Sequence, residues 1–411
     1  MSEQLVFDSR YSWTRLAVTL VIAAIGNVGM WSVIVIMPAV QTEFDVSRAD
    51  SSLPYTLTML GFGLGNLLIG RAVDRFGVTT ALIAASLLSG AGYIAASVSP
   101  SILILAIAHF VIGLGSAACF GPLIADISLW FQRKRGIAVA VAASGNYLSG
   151  AIWPMALAGV LADNGWRAVC VVLAVIVTVL LIPLALLLRP RVPTASLNAA
   201  ANVSLANRAA SGLSSRALAW LLGFAGIGCC VAMSMPQVHI VALCIDRGFG
   251  PVAGVEMLSL MLLGGVASRL VSGLIADRLG GVLTLLIGSV LQMLALFLYL
   301  PAGGLVSLYV VSLVFGLAQG GIVPAYALIV REHMPAREAG ARVGFVIMAT
   351  ILGMALGGWM SGWIHDLTGS YQLAFLNGIA WNALNIAIML FILTRTLRPR
   401  RISLLQRSAS S

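Results

Sequence analysis

The residue with most chemistry to account for is an arginine buried in apolar sequence. Arg269 stands in Ala267-Ser-Arg269-Leu-Val-Ser-Gly273, inside a hydrophobic stretch over residues 252–275. A charge at the centre of a membrane helix costs about 2.5–3.5 kcal/mol on insertion scales, so it demands a partner or a water-filled cavity. Guanidinium never loses its proton and offers a two-pronged donor fork, which suits a carboxylate. Snorkelling to the near membrane surface is the competing reading; it is disfavoured because Gly273, not Arg269, opens the following polar loop. Upstream, His239 and Asp246 lie seven residues apart in Gln237-Val-His239-Ile-Val-Ala-Leu-Cys-Ile-Asp246, hence on one helix face. An imidazole titrates near neutrality and a desolvated carboxylate rises toward it, so either group could carry a proton alongside an anion. A hydrogen-bonded core histidine, and a solvated loop acid beside Arg247, are the plainer readings of the same two residues.

The elements that must position these groups are membrane helices. A chain of 411 residues that is 60% hydrophobic and 9% charged is not a soluble protein. Its apolar runs approach the ~20 residues needed to cross ~30 Å of hydrocarbon, and they are not the short alternations of an outer-membrane barrel. Polar, Gly and Pro punctuation divides the chain into twelve spans: 16–40, 52–71, 79–97, 102–125, 136–161, 168–188, 217–243, 252–275, 282–300, 305–330, 341–364 and 372–394.

The formal charge of +10 is spread along the loops and builds no nucleic-acid-binding face. With both termini in the cytoplasm, twenty basic residues fall inside and only Arg48, Arg167 and Arg247 outside. That asymmetry predicts a multi-pass protein of the inner (plasma) membrane with cytoplasmic termini. Met1 to Arg15, carrying Glu3 and Asp8, lacks the form of a signal peptide, so the first helix is expected to be retained. Cys119, Cys170, Cys229, Cys230 and Cys244 lie in apolar segments and read as small core residues.

Residues 189–216 form the longest polar connection and divide the chain into expected six-helix bundles over 1–188 and 217–394, with a basic tail over 395–411. The halves repeat. Gly70-Arg-Ala-Val-Asp74-Arg75-Phe-Gly77 follows the second span, Gly273-Leu-Ile-Ala-Asp277-Arg278-Leu-Gly280 follows the eighth at an offset of 203, and Asp163 and Asp366 share that offset. In each copy the first glycine is expected to permit close helix packing, the acid and base to form a charged lock, and the second glycine to close a tight turn. Asp126, at the end of the fourth span, is assigned to the same inner gate, and His109 to packing near the outer face.

These loops resemble the hallmark motif of the major facilitator superfamily, and the resemblance covers essentially the whole chain. It implies an all-α membrane fold of twelve helices in two pseudo-symmetric six-helix bundles. One departure is Val78-Thr79, where a basic pair usually follows the second glycine. Trp130-Phe131-Gln-Arg133-Lys134-Arg135-Gly-Ile-Ala138-Val-Ala-Val-Ala142-Ala-Ser144-Gly145 is similar to the monocarboxylate transporter and oxalate:formate antiporter branch. Gly26-Asn27-Val-Gly29-Met-Trp31 replaces the acid-Gly-Gly pattern of animal monocarboxylate transporters, which favours a bacterial-type relative. In that branch Arg269 matches the arginine that binds the substrate carboxylate, and His239 and Asp246 match groups implicated in substrate or proton handling. Asn27, Phe120, Asn146, Tyr147, Gln319 and Tyr326 fall on spans that border the central cavity of this fold.

ATP-driven transport is excluded, since the single lysine, Lys134, is followed by Arg135 and no P-loop exists. The reading is a secondary transporter of a small monocarboxylate, coupled to a proton, working by alternating access around a midplane site. Exchange of the oxalate:formate kind is the alternative, although a dianion would want a second intramembrane cation and the eleventh span offers only Arg342 at its mouth. Efflux of another organic solute, or a receptor, is a weaker reading. No nucleophile or metal cluster supports an enzyme, no cofactor is expected, and the fold needs no second subunit to form its pathway.

Overall fold

The computed structural model describes residues 7–131, 134–190, 214–334 and 336–408. Among them the regular elements are all helical. Eleven helical stretches are long and apolar enough to cross a bilayer. One of these is double. Helix α8 (Arg135–Leu187) runs for 53 residues, about 80 Å at 1.5 Å per residue and more than twice a hydrocarbon core. Gly165, at φ 78° and ψ 174°, divides it into two spans, a conformation open essentially to glycine alone. The count of twelve therefore stands.

The first span consists of α1 (Arg10–Gly26) and α2 (Val28–Phe44), interrupted at Asn27. A single turn, α3 (Arg48–Ser51), leads into α4 (Leu53–Phe76), followed by α5 (Val78–Ser97). The fourth span is also broken. Helix α6 (Ile102–Ser116) passes through a tight turn and Phe120, at φ −126° and ψ −90°, before α7 (Gly121–Ser128). Pro122 sits in the first turn of α7, where a missing N–H costs nothing.

The second half comprises α9 (Ser215–Asp246), α10 (Gly250–Leu279), α11 (Gly281–Tyr299), α12 (Leu305–Gln319), α13 (Ile322–His333), α14 (Ala336–Thr368) and α15 (Gln372–Ser408). Its fourth span breaks too, at Gly320-Gly321 between α12 and α13. Ser116 and Gln319, the last residues before the two breaks, are 203 positions apart. The repeat thus extends from the loop motifs to the interior. Residues 102–125 and 305–330, each expected as one span, are thus one span apiece made of two helices, broken at Phe120 and at Gly320-Gly321. Most of the expected linker lies outside the described residues, and α15 continues as helix into the expected tail.

Each half has its own core, around Leu82, Ile112 and Val169 in the first and Leu222, Leu285 and Ile329 in the second. A third core joins them, with Trp31, Tyr55 and Phe62 packed among Met235, Val238 and Leu262. Helix α4 packs on α14, α8 on α10 and α2 on α9. Lipid tails are as apolar as these side chains, so close fit rather than hydrophobic transfer holds the halves together. Glycines make that fit possible: a Cβ at Gly150 would lie 2.4 Å from Leu262, and one at Gly358 would lie 2.9 Å from Tyr55.

The two ends of the bundle differ. At the end away from the termini, a Cβ at Gly362 would meet the Arg48 carbonyl at 2.9 Å. At the terminal end, a Cβ at Gly70 or Gly273 would meet nothing within 4 Å. The halves meet closely at the far end, whereas Gly70 and Gly273 have open space beside them at the terminal end. The close helix approach expected at Gly70 and Gly273 is not formed in this conformation.

Candidate anion site and inter-half clasps

Helix α10 carries Arg269 about 15 Å from its Leu279 end, ten residues at 1.5 Å each. The residue is 5% exposed. Its Nε donates to the Gly320 carbonyl at 3.1 Å, an acceptor left free by the break in the tenth span. Its Nη1 donates to the Ala143 carbonyl of α8 at 2.5 Å, in the other half. The guanidinium carbon lies 4.1 Å from the centroid of the Tyr147 ring. Neutral carbonyls and a π face solvate the cation. Among the described residues no carboxylate lies within ion-pair distance of it. The site holds net positive charge between the two halves.

Several expected site residues converge here. Asn146 accepts the Trp31 indole N–H at 2.9 Å, and the Trp31 and Tyr147 rings meet edge to face at 6.3 Å. Gln319 directly precedes Gly320 and accepts from Gln237 Nε2 at 2.8 Å. Other expected residues lie elsewhere. Asn27 donates to Ala23 and to the Cys119 carbonyl, stitching the break in the first span to the break in the fourth. Phe120 packs against the Phe62 ring at 5.8 Å. Tyr326 donates to Asn385 at 2.9 Å within a polar network internal to the second half. His109 is buried, with Nδ1 on the Leu105 carbonyl.

The repeat counterpart of Arg269 is Asn66, 203 residues earlier. Asn66 Oδ1 accepts the Gly121 N–H at 3.2 Å, at the break of the fourth span. Both residues therefore bond the broken helix of their own half, one as a neutral amide and the other as a cation.

His239 stands well away from Arg269. It is seven residues below the Asp246 end of α9, about 10 Å, whereas Arg269 is nineteen residues below the Gly250 end of α10, about 28 Å. His239 Nε2 donates to the Gly358 carbonyl at 2.8 Å, which leaves Nδ1 to accept from the Tyr371 hydroxyl at 3.2 Å. Burial holds the Tyr371 hydroxyl well above the ordinary phenol range, so it stays protonated.

Asp246 belongs to a clasp between the halves. Arg48 Nη2 donates to its two carboxylate oxygens at 2.9 and 3.2 Å, and His365 Nε2 lies 3.5 Å away. The neighbouring Asp366 accepts the backbone N–H groups of Arg48 and Ala49 at 2.9 and 2.7 Å. Sequence reasoning placed Arg48 and Asp366 at this end without pairing either, and missed His365 and Tyr371. The signal available was charge and imidazole at three span ends of one membrane face.

At the terminal end, Asp126 forms a buried bidentate pair with Arg15 at 2.9 and 3.0 Å. The pair lines a cavity of about 860 Å³ with Asn66, Gly70, Arg75, Gly77 and Arg189. It joins α1 to α7 within one half. Gly77 and Gly280, at φ 86° and 80°, close the turns expected of the repeated motif. Arg75 and Arg278 stand in the last turns of α4 and α10. The Asp74 and Asp277 side chains lie outside the described residues.

The family model of the Major Facilitator Superfamily matches residues 19–341 and 257–409. The chain is 26% identical to monocarboxylate transporter 11 of Homo sapiens, over 90% of this chain and 80% of that protein. It is 25% identical to monocarboxylate transporter 13 of Bos taurus, over 75% and 72%. In fold it is similar to a bacterial homologue of the human lysosomal transporter Spinster, solved in an inward-facing and occupied conformation, with a TM-score of 0.66 at 13% identity over 95% and 96% of the two chains. Family match, twelve-span fold and transporter relatives agree: the chain belongs to the Major Facilitator Superfamily and is a multi-pass membrane transporter, not an enzyme.

Proposed function

We propose that this transporter carries a small monocarboxylate together with a proton, by alternating access around Arg269. The carrying observation is a buried guanidinium that touches both halves and has no described acid within ion-pair distance. Two of its five N–H groups are committed to carbonyls. A carboxylate arriving at the fork replaces a weak neutral acceptor with a charged one, which strengthens each hydrogen bond. One fixed cation favours a monoanion. The names of the similar monocarboxylate transporters support the same substrate class.

The excess of basic residues at the terminal end supports a cytoplasmic location for that end in a plasma-membrane protein. The open space at Gly70 and Gly273, with the Arg48–Asp246 clasp at the opposite end, supports an inward-facing reading of this conformation. His239 and Asp246 lie between the outer surface and the site, where a proton would enter. A single chain contains the whole pathway.

Counterflow and pH-driven uptake of radiolabelled monocarboxylates in proteoliposomes test the proposal. Arg269→Ala abolishes uptake, and Arg269→Lys, which keeps the charge and loses the fork, weakens it about 10- to 100-fold. Uptake indifferent to Arg269→Ala refutes the anion site, and saturable binding without exchange refutes transport.

A further inference from the structure

The outer clasp contains more than an ion pair. Arg48 comes from the first half, while Asp246, His365 and Asp366 come from the second. Two acids of one half thus hold one base of the other, directly at the side chain and through the backbone N–H groups of α3. His365 is the additional member. Its Nε2 faces Asp246 at 3.5 Å, its ring lies 4.4 Å from Tyr371, and its buried Nδ1 has no hydrogen-bond partner. The charged and titratable groups around it are Arg48 from α3, Asp246 and His239 from α9, Asp366 beside it on α14, and Tyr371 before α15.

We propose that His365 is a proton-operated latch on the outer gate, exchanging partners with Arg48 at Asp246. In the closed clasp Asp246 is already engaged twice by Arg48. A proton added at Nδ1 there finds no acceptor, and the new imidazolium faces the Arg48 cation across the interface. Once the halves part, Asp246 loses Arg48 and becomes a free counter-ion for protonated His365. The proton therefore binds the open state better than the closed one, and external acid shifts the population toward opening. Protonation also cuts the net charge that the second half presents to Arg48 from two negatives to one. The device does not depend on what the transporter carries.

The test uses full-length protein in proteoliposomes with a reporter cysteine at Met59, which is 0% exposed in the core shared by both halves. Its reaction with a membrane-impermeant thiol reagent added outside is measured from pH 8 to pH 5.5, against protein without the reporter. Labelling is expected to be slow at pH 8 and to accelerate about tenfold on acidification. Arg48→Gln and Asp246→Asn label fast at every pH. The exchange Arg48→Asp with Asp246→Arg restores slow labelling at pH 8, which separates loss of the clasp from misfolding. His365→Gln keeps slow labelling and loses the acid response. Acid response persisting in His365→Gln, including a response that disappears only in His239→Gln, overturns the assignment. So does slow labelling in Arg48→Gln.

Discussion

Removing Asp126 leaves Arg15 as an unpaired cation inside the protein, and the cost follows from the geometry. The Arg15 and Asp126 side chains are 0% and 7% exposed. Arg15 gives Nε and Nη2 to the carboxylate, and its Nη1 serves Tyr11 and the Leu188 and Pro190 carbonyls at 3.1 to 3.3 Å. Trp130 lies 4.6 Å from the guanidinium carbon. Those fixed partners hold the cation in place when the acid is lost. Breaking one side of a buried pair costs about 3–5 kcal/mol, whereas replacing both partners by apolar groups of similar volume is often neutral or stabilising. Asp126→Ala is thus expected to lose about 3–5 kcal/mol, and Arg15→Met with Asp126→Leu to fall within about 1 kcal/mol of the parent. Equilibrium unfolding in mixed detergent micelles reads both, and the double-mutant cycle isolates the coupling. A loss below about 1 kcal/mol for Asp126→Ala refutes the reasoning, because such a pair would be behaving as a solvated one.

Two other expectations rest on backbone and ring. Gly77→Ala and Gly280→Ala force a Cβ into φ 86° and 80° and are each expected to cost about 1–3 kcal/mol in that unfolding assay. Gly70→Ala and Gly273→Ala, with nothing within 4 Å of the added carbon, stay within about 0.5 kcal/mol. Equal losses at all four positions contradict the account of the motif. Tyr147→Leu removes the π face under Arg269 and is expected to weaken acid uptake about tenfold, while Tyr147→Phe retains most of it. Uptake kinetics that treat Phe and Leu alike count against the contact.

The architecture was legible because a bilayer imposes its own length on each helix and its own sign on each loop. Span count and the 203-residue repeat needed no tertiary information. Arg269 was legible for a related reason, since a lone charge in an apolar run has few ways to exist. What escaped was pairing across the chain. Nothing adjacent to Arg48 in sequence announces Asp246, and nothing near Arg15 announces Asp126, because each partner arrives from another span. The polar interior residues show the same limit. Tyr147 and Tyr326 look alike in sequence, yet one sits under the cation and the other in a network of the second half.

Asn66 and Arg269 occupy one position of a duplicated unit. Had both copies kept a cation, the pathway would offer two equivalent places for an anion, related by the pseudo-twofold axis. With an amide in one copy and a guanidinium in the other, the proposed anion site lies on the second half alone. On that proposal a cargo would ride with one wall of the channel and be uncovered by the other. Influx and efflux would then run past differently made surfaces, and their rates would be free to diverge although the machinery around them repeats one unit.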